Sequence, residues 1–403
     1  MAKRVLIYTN HFYPENFKVN EVAAMLSNDG LEVTVITGLP NYPDGKIAKG
    51  YGFFKNTRQV VNGATVKRLW LIPRASGSKL RLVINYLSYF ISCFCYTLYI
   101  GMFKKKYDVV FVHHTSPILI AIPPIIYKWL RKPKMILWDL DMWPDTLVAL
   151  DVVKSKKLIL ILETVVKWIY KQYDKVLIGS NSFAVKAKNR VTANRIEYFP
   201  NWAEDIFAQK KQVKPISNPQ FPEGFNIMYA GNIGEAQDFG NVFNAMKILK
   251  NEAVNWLIVG DGRWLKQLKT KVAQSGLSAN VTYYGNNPLD TMPYFFSKAD
   301  VMFFSLQDKE IFSKTVPAKL QAYMVSGKPI IGMISGEGNQ IIKEANCGLS
   351  VNSGDYKGFA KAILKLKSDK QKWSDYGKNG VTFYNKVFSK QARIEQLAAL
   401  IKD

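Results

Sequence analysis

The chain has 403 residues, 48% of them hydrophobic, which is more than one core usually serves and predicts two domains of about 200 residues each. Its 55 Lys and Arg against 31 Asp and Glu give a net charge of +24. The excess is lopsided, with 29 basic and 13 acidic residues in 1–200 against 26 and 18 in the remainder. Such a field draws anionic lipid surfaces or phosphorylated substrates towards the first half, no nucleic-acid motif accompanies it, and three cysteines without ligand spacing argue against a disulfide frame or a zinc site and for a reducing, cytoplasmic setting.

Strand-like runs alternate with helix-length segments from the start. Residues 5–9 read as a first strand, their apolar run too short for a signal peptide. A helix through 19–26, a strand at 32–37 and a long helix follow. Next come a strand at 109–113, a helix over 116–130, strands at 134–139, 176–179 and 195–199, and a helix over 156–173. This βαβ rhythm predicts a doubly wound parallel sheet.

The uncharged stretch 82–103 is long enough to cross a membrane on length alone. Asn85, Ser88, Ser92, Thr97 and four tyrosines make it polar for a lipid-exposed span, so the expectation is a helix partly buried and partly dipped into the interface. Lys79, Arg81 and Lys104-Lys105-Lys106 flank it and suit lipid headgroups.

A polar, proline-rich run over 206–224 reads as a linker between a first domain, 1–205, and a second, 225–375, with helices over 376–403 crossing back. The second βαβ series places strands at 225–230, 256–259, 281–284, 301–304 and 329–333. Glycine turns follow the first three: Gly231-Asn232-Ile233-Gly234, Gly260-Asp261-Gly262 and Gly285-Asn286-Asn287. Glycine lets a backbone approach a ligand closely, and serves a simple turn equally well. From Ser313 the chain reads as a helix start, with Ser313 and Thr315 as caps and Pro317 in the first turn. Its free amides, with Lys314 and Lys319, make an anion site.

The order of motifs resembles retaining glycosyltransferases of family 4. In the second half it is carried by Tyr229-Ala230-Gly231-Asn232-Ile233-Gly234, Ile258-Val259-Gly260-Asp261-Gly262, Ala299-Asp300-Val301 and Tyr323-Met324-Val325-Ser326-Gly327-Lys328-Pro329. Phe12-Tyr13-Pro14-Glu15-Asn16, Gly38-Leu39-Pro40-Asn41-Tyr42-Pro43-Asp44-Gly45 and Asp139-Leu140-Asp141-Met142-Trp143-Pro144-Asp145 narrow it to the WbuB-like branch, amino-sugar transferases of bacterial surface polysaccharide assembly.

The resemblance implies an α/β GT-B fold, two facing Rossmann-like domains with a cleft between them. It implies a donor diphosphate at Gly231, Asn232 and Gly234 and around Thr315, Val316 and Pro317, with Gly260, Asp261, Gly285, Asn286 and, from the first half, Asn16 also on the donor side. Lys314 and Lys319 are the nearest cations for the departing diphosphate, so no metal is required. On the acceptor side it implies His11, Glu15, His113, His114, Asp139 and Asp141, with His113 or Asp141 meeting the reacting hydroxyl. Each has a plainer reading, as a satisfied buried histidine or a helix cap. The chain departs from the family where its paired glutamates fall on Lys314 and Ala322, leaving Glu310 as the acid that can substitute. It departs again where the basic pair after the glycine turn becomes Asn232 with Gln237 or Asp238.

The implied function is retaining transfer of a sugar, an N-acetylated deoxyamino sugar such as FucNAc, from a UDP-sugar to a polyprenyl-diphosphate-linked saccharide. The partner surface is the anionic inner face of the plasma membrane, in O-antigen or capsule synthesis. A GT-B UDP-sugar epimerase and a non-catalytic membrane scaffold are the alternatives.

Overall fold

The computed structural model describes residues 2–75, 79–149, 152–208, 214–215 and 218–403, so 209–213 and 216–217 of the expected linker lie outside the described residues. The first sheet contains β1 (Arg4–Thr9), β2 (Glu32–Gly38), β3 (Arg58–Val61), β4 (Ala64–Leu69), β5 (Val109–His114), β6 (Lys134–Asp139), β7 (Lys175–Ile178) and β8 (Ile196–Tyr198). Their order is β3-β4-β2-β1-β5-β6-β7-β8, and every pair is parallel except β3 with β4. The central strands β1, β5 and β6 are near-continuous apolar runs because helices cover both faces of a parallel sheet.

The β3–β4 hairpin is absent from the sequence expectation, although its signal is present. Asn62-Gly63 stands between Val60-Val61 and Ala64-Thr65-Val66, and the two turn residues take φ 47° and 84°, the left-handed pair that a two-residue hairpin loop demands.

The second sheet contains β9 (Phe225–Ala230), β10 (Val254–Val259), β11 (Val281–Gly285), β12 (Val301–Ser305), β13 (Ile330–Met333) and β14 (Gly348–Val351). Its order is β11-β10-β9-β12-β13-β14, all parallel, with the reversal of winding between β9 and β12. In the first sheet the corresponding reversal lies between β1 and β5. Ligands of open α/β sheets bind at such points, beyond the carboxyl ends of the strands.

The chain divides into two compact units, Met1–Phe199 with Arg393–Asp403, and Pro200–Ala392. The division thus falls ahead of the expected linker, and the return to the first unit is made later than expected. The helix Trp373–Val387 stays with the second unit, where the Tyr384 hydroxyl accepts the Ala203 N–H (3.1 Å). In the last helix, Lys390–Lys402, the side chains of Ile394, Leu397 and Ile401 are buried and Gln396 donates to the Tyr198 carbonyl (3.2 Å).

The helix Lys79–Phe103 is inverted in polarity. Its inward face carries Asn85, Ser88, Tyr89, Cys93 and Thr97, all buried. Each polar group there is used: Tyr89 donates to the Thr9 carbonyl (2.9 Å), Thr97 shares a hydrogen bond with Tyr8 (3.0 Å), and Asn85 donates to the Ile72 carbonyl (2.6 Å). The outward face is aliphatic, with Leu80 70% and Ile91 59% exposed and Val83 and Leu87 in line with them. The steps β4→β5, β5→β6 and β6→β7 run the same way along the sheet. Right-handed crossovers therefore put this helix, Pro123–Arg131 and Lys156–Gln172 on one face.

Candidate functional site

Each unit carries a polar cluster at its own reversal point. In the first, Thr9 and His113 are register partners on β1 and β5. The Thr9 hydroxyl donates to the His11 carbonyl (2.9 Å), so it accepts from His113 Nδ1 at 3.0 Å. Burial, with His114 and His11 nearby, pushes the His113 pKa down to about 3, and the ring is neutral.

The His11 ring stacks on Phe17, centroids 4.8 Å apart. Its Nε2 accepts from Arg74 (2.9 Å), which leaves Nδ1–H to donate to Glu15 Oε2 (2.8 Å). The other Glu15 oxygen accepts the N–H groups of Asn41 (2.8 Å) and Tyr42 (2.7 Å), binding the loop after β2 to the loop after β1. Arg74 lies over the Tyr42 and Tyr86 rings and donates to Asn85 Oδ1 (3.4 Å). Burial raises the Tyr86 pKa, with Arg74 opposing and Asp141 adding to the shift, so Asp141 belongs to the same electrostatic neighbourhood. Its carboxylate accepts the Ser116 N–H at 2.9 Å. Asn16 is exposed beside Glu15.

His114 and Asp139 lie elsewhere, wholly inside the core. His114 Nδ1 and Asp139 Oδ1 are 2.7 Å apart, and Asp139 also accepts the Tyr170 hydroxyl and the N–H groups of Asp141 and Met142. Burial raises the Asp139 pKa, but His114, Tyr170 and Arg190 outweigh it and bring it down to about 2. Arg190 in turn grips Glu163 with two nitrogens, at 2.7 and 2.8 Å. The pair braces the unit and orients the loop that bears Asp141.

In the second unit the three glycine turns are laced together. Gly231 N–H donates to Val259, Ile233 to Asp261 and Gly260 to Gly285, at 2.8–2.9 Å. A Cβ on Gly260 would strike the Gly231 carbonyl, so glycine here serves the stacking of loops as well as openness to a ligand. The turns border a concavity of about 440 Å³ lined by Gly231, Asn232, Gly260, Asp261, Asn286 and Asn287, among others. Gly285, at φ 66°, adjoins it with open space on its Cβ side. Since Gln237 Oε1 takes the Gly234 N–H (2.9 Å), most of the turn's amides already have acceptors.

The helix start differs from the sequence expectation. Ser313 and Thr315 donate to the carbonyls of Glu310 (2.8 Å) and Ile311 (2.7 Å), closing the short helix Glu310–Ser313 instead of capping the next one. The next helix, Ala318–Val325, begins after Pro317, which stands at the cap position with extended backbone and no side-chain cap. Lys314 pairs with Glu310, four residues away. Lys319 lies differently: its stem packs on Gly231 and its ammonium sits 5.2 Å over the Tyr229 ring, with no carboxylate partner among the described residues. Burial lowers its pKa to about 8. Tyr323 fixes this helix by donating to the Ala230 carbonyl (3.2 Å) and accepting the Ala230 N–H (2.9 Å). Val316 packs at the edge of the core below.

Sequence reading missed Arg74, Tyr42, Asn85 and Tyr86 around His11, while Asn287, which stood in the third glycine turn, does line the concavity. No periodicity marks Arg74, and only the fold brings it to the loop after β1. Among the described residues no three His, Cys, Asp or Glu side chains gather as a metal site.

Residues 211–382 match the family described as Glycosyl transferases group 1. The chain is 24% identical over 317 residues to the probable glycosyltransferase WbjE of Pseudomonas aeruginosa, covering 77% of this chain and 78% of the relative. It is 25% identical over 343 residues to the putative colanic acid biosynthesis glycosyl transferase WcaI of Escherichia coli (strain K12), covering 80% and 81%. Among solved structures it is similar to sucrose-phosphate synthase of Thermosynechococcus elongatus, with TM-score 0.71, 16% identity, and 99% and 98% of the two chains covered. It is also similar to HepE of Anabaena in complex with UDP and glucose, with TM-score 0.67, 13% identity and 99% of each chain covered. The fold is therefore GT-B, and the match to the glycosyl transferases group 1 family lies in the second half of the chain.

Proposed function

We propose that the protein transfers a sugar from a UDP-sugar to a polyprenyl-diphosphate-linked saccharide, with retention at the anomeric carbon. The observation that carries the donor half is Lys319, a partly desolvated cation without an anion, set against Gly231 at the rim of the concavity. A diphosphate supplies the missing charge there, and a fixed cation stabilises it most as the anomeric bond to the leaving oxygen breaks. UDP in the HepE complex and the polysaccharide pathway in the name of WcaI support the same reading. The acceptor hydroxyl attacks from the face that UDP leaves and its proton passes to the departing phosphate, so neither an enzyme nucleophile nor a metal is required.

His11, Glu15, Arg74 and Asp141 are the acceptor-side groups in this reading, and an N-acetylated deoxyamino sugar such as FucNAc is the proposed donor sugar, as in the WbuB-like branch. The basic first unit and the inverted helix Lys79–Phe103 support a peripheral place at the inner face of the plasma membrane. The test is a panel of UDP-sugars incubated with lipid-linked acceptor, with EDTA present and absent, read by UDP release and by the anomeric configuration of the product. Transfer with retained configuration in EDTA is expected. No UDP release from any donor overturns the proposal, and a new UDP-sugar without free UDP points to the epimerase instead.

A further inference from the structure

The helix Lys156–Gln172 is a second amphipathic element on the sheet face that carries Lys79–Phe103. Its inward face is ordinary, with Val166, Ile169 and Tyr170 buried. Its outward face is not. Lys157, Leu160, Ile161, Thr164, Trp168 and Lys171 recur at three- and four-residue steps and so share one side. On that side Leu160 is 69% and Ile161 59% exposed, and Trp168 is 40% exposed. With Glu163 and four lysines, the helix is too charged to span a bilayer, and among the described residues Leu80–Phe103 alone is long and apolar enough to do so.

We infer that Lys156–Gln172 lies in the headgroup region of an anionic bilayer as a second contact beside Lys79–Phe103, an inference that rests on the membrane placement proposed above. Charge decides the occupant. On the outward face the ionic side chains are lysines, while the helix's one acid, Glu163, is turned to Arg190 and Lys186. Aliphatic and tryptophan side chains ringed by lysine match acyl chains under anionic headgroups. Two contacts on one face also do what one cannot: a single weak anchor binds reversibly and leaves the unit free to swivel, whereas two fix its orientation on the surface.

The test is flotation of the full chain with phosphatidylcholine vesicles, with and without phosphatidylglycerol, comparing wild type with the double variant Leu160→Glu/Ile161→Glu. Wild type is expected to bind the anionic vesicles and to be released by high salt. The variant is expected to partition about ten-fold less or weaker at an unchanged urea midpoint. Should that variant fold poorly, Lys157→Glu/Lys171→Glu, which alters only exposed lysines, is expected to show the same loss. Binding equal to wild type by a folded variant overturns the inference while leaving the membrane placement intact. Failure of wild type to bind any vesicle overturns both. A dimer that the variant splits without change in vesicle binding also overturns it, because the face then covers a second copy.

Discussion

At the scale of single residues, the two lysines that look alike in sequence part company. Lys314 already answers Glu310, while Lys319 is held partly dry over Tyr229 without an anion. Lys319→Ala is expected to weaken UDP binding by roughly ten-fold or more, the worth of one charge-assisted hydrogen bond. Lys314→Ala is expected to weaken it less, and calorimetry measures both. Because the Lys319 pKa is lowered to about 8, its ammonium is charged below that value. UDP affinity should hold up to about pH 7 and fall as the pH passes through 8, and Lys319→Arg should move that fall to higher pH. His113 gives a stability prediction of opposite sense. Its folded pKa, about 3, lies below the ordinary 6.5, so the unfolded chain takes up the proton first as the pH falls. Stability is lost between about pH 6.5 and 3, at up to about 1.4 kcal/mol per pH unit. In urea unfolding at pH 7 and 5, His113→Gln should flatten that dependence. Asp139 was legible as a strand-end carboxylate, but its full enclosure by His114, Tyr170 and the Arg190 network was not, since those partners come from distant elements.

At the scale of elements, length and lack of charge were enough to predict the helix Lys79–Phe103, while the direction of its faces was not predictable from them. Read alone, Asn85, Ser88 and Thr97 argue against lipid; in the fold they turn inward to meet Ile72 and Tyr8 and leave the aliphatic residues outside. Tyr89→Ala is expected to cost about 3 kcal/mol of stability, as for other buried aromatic truncations. Leu87→Gln/Ile91→Gln is expected to change the free energy of urea unfolding by no more than about 0.5 kcal/mol while lowering vesicle binding, since those side chains face outward. The β3–β4 hairpin shows a signal present in the sequence and drowned by the surrounding irregular run. The strand β14 had no such signal, because four residues, Gly348–Val351, are too few to set a period.

At the scale of the whole molecule, the first unit is completed by a segment nearly two hundred residues further along, Arg393–Asp403. Ile394, Leu397 and Ile401 of the helix Lys390–Lys402 are buried within it, so it cannot be finished until those residues have been made. Leu397→Ala is expected to destabilise that unit by about 2–5 kcal/mol in urea unfolding. Sequence by itself determined the alternation of strands and helices, the two-domain count, the GT-B fold through the order of its motifs, and the glycine turns at three strand ends. The alternation and the turns follow from local periodicity and backbone conformation, which are written in neighbouring residues; the domain count follows from length, and the GT-B fold was what the resemblance of the motifs implied. Tertiary structure alone decided that the return begins at Arg393, that Arg74 reaches His11, that the turn amides are largely engaged, and that Lys319 rather than Lys314 stands without an anion. Each of those depends on which side chains meet across the sheet, and such meetings are set by packing of distant segments that no local pattern records.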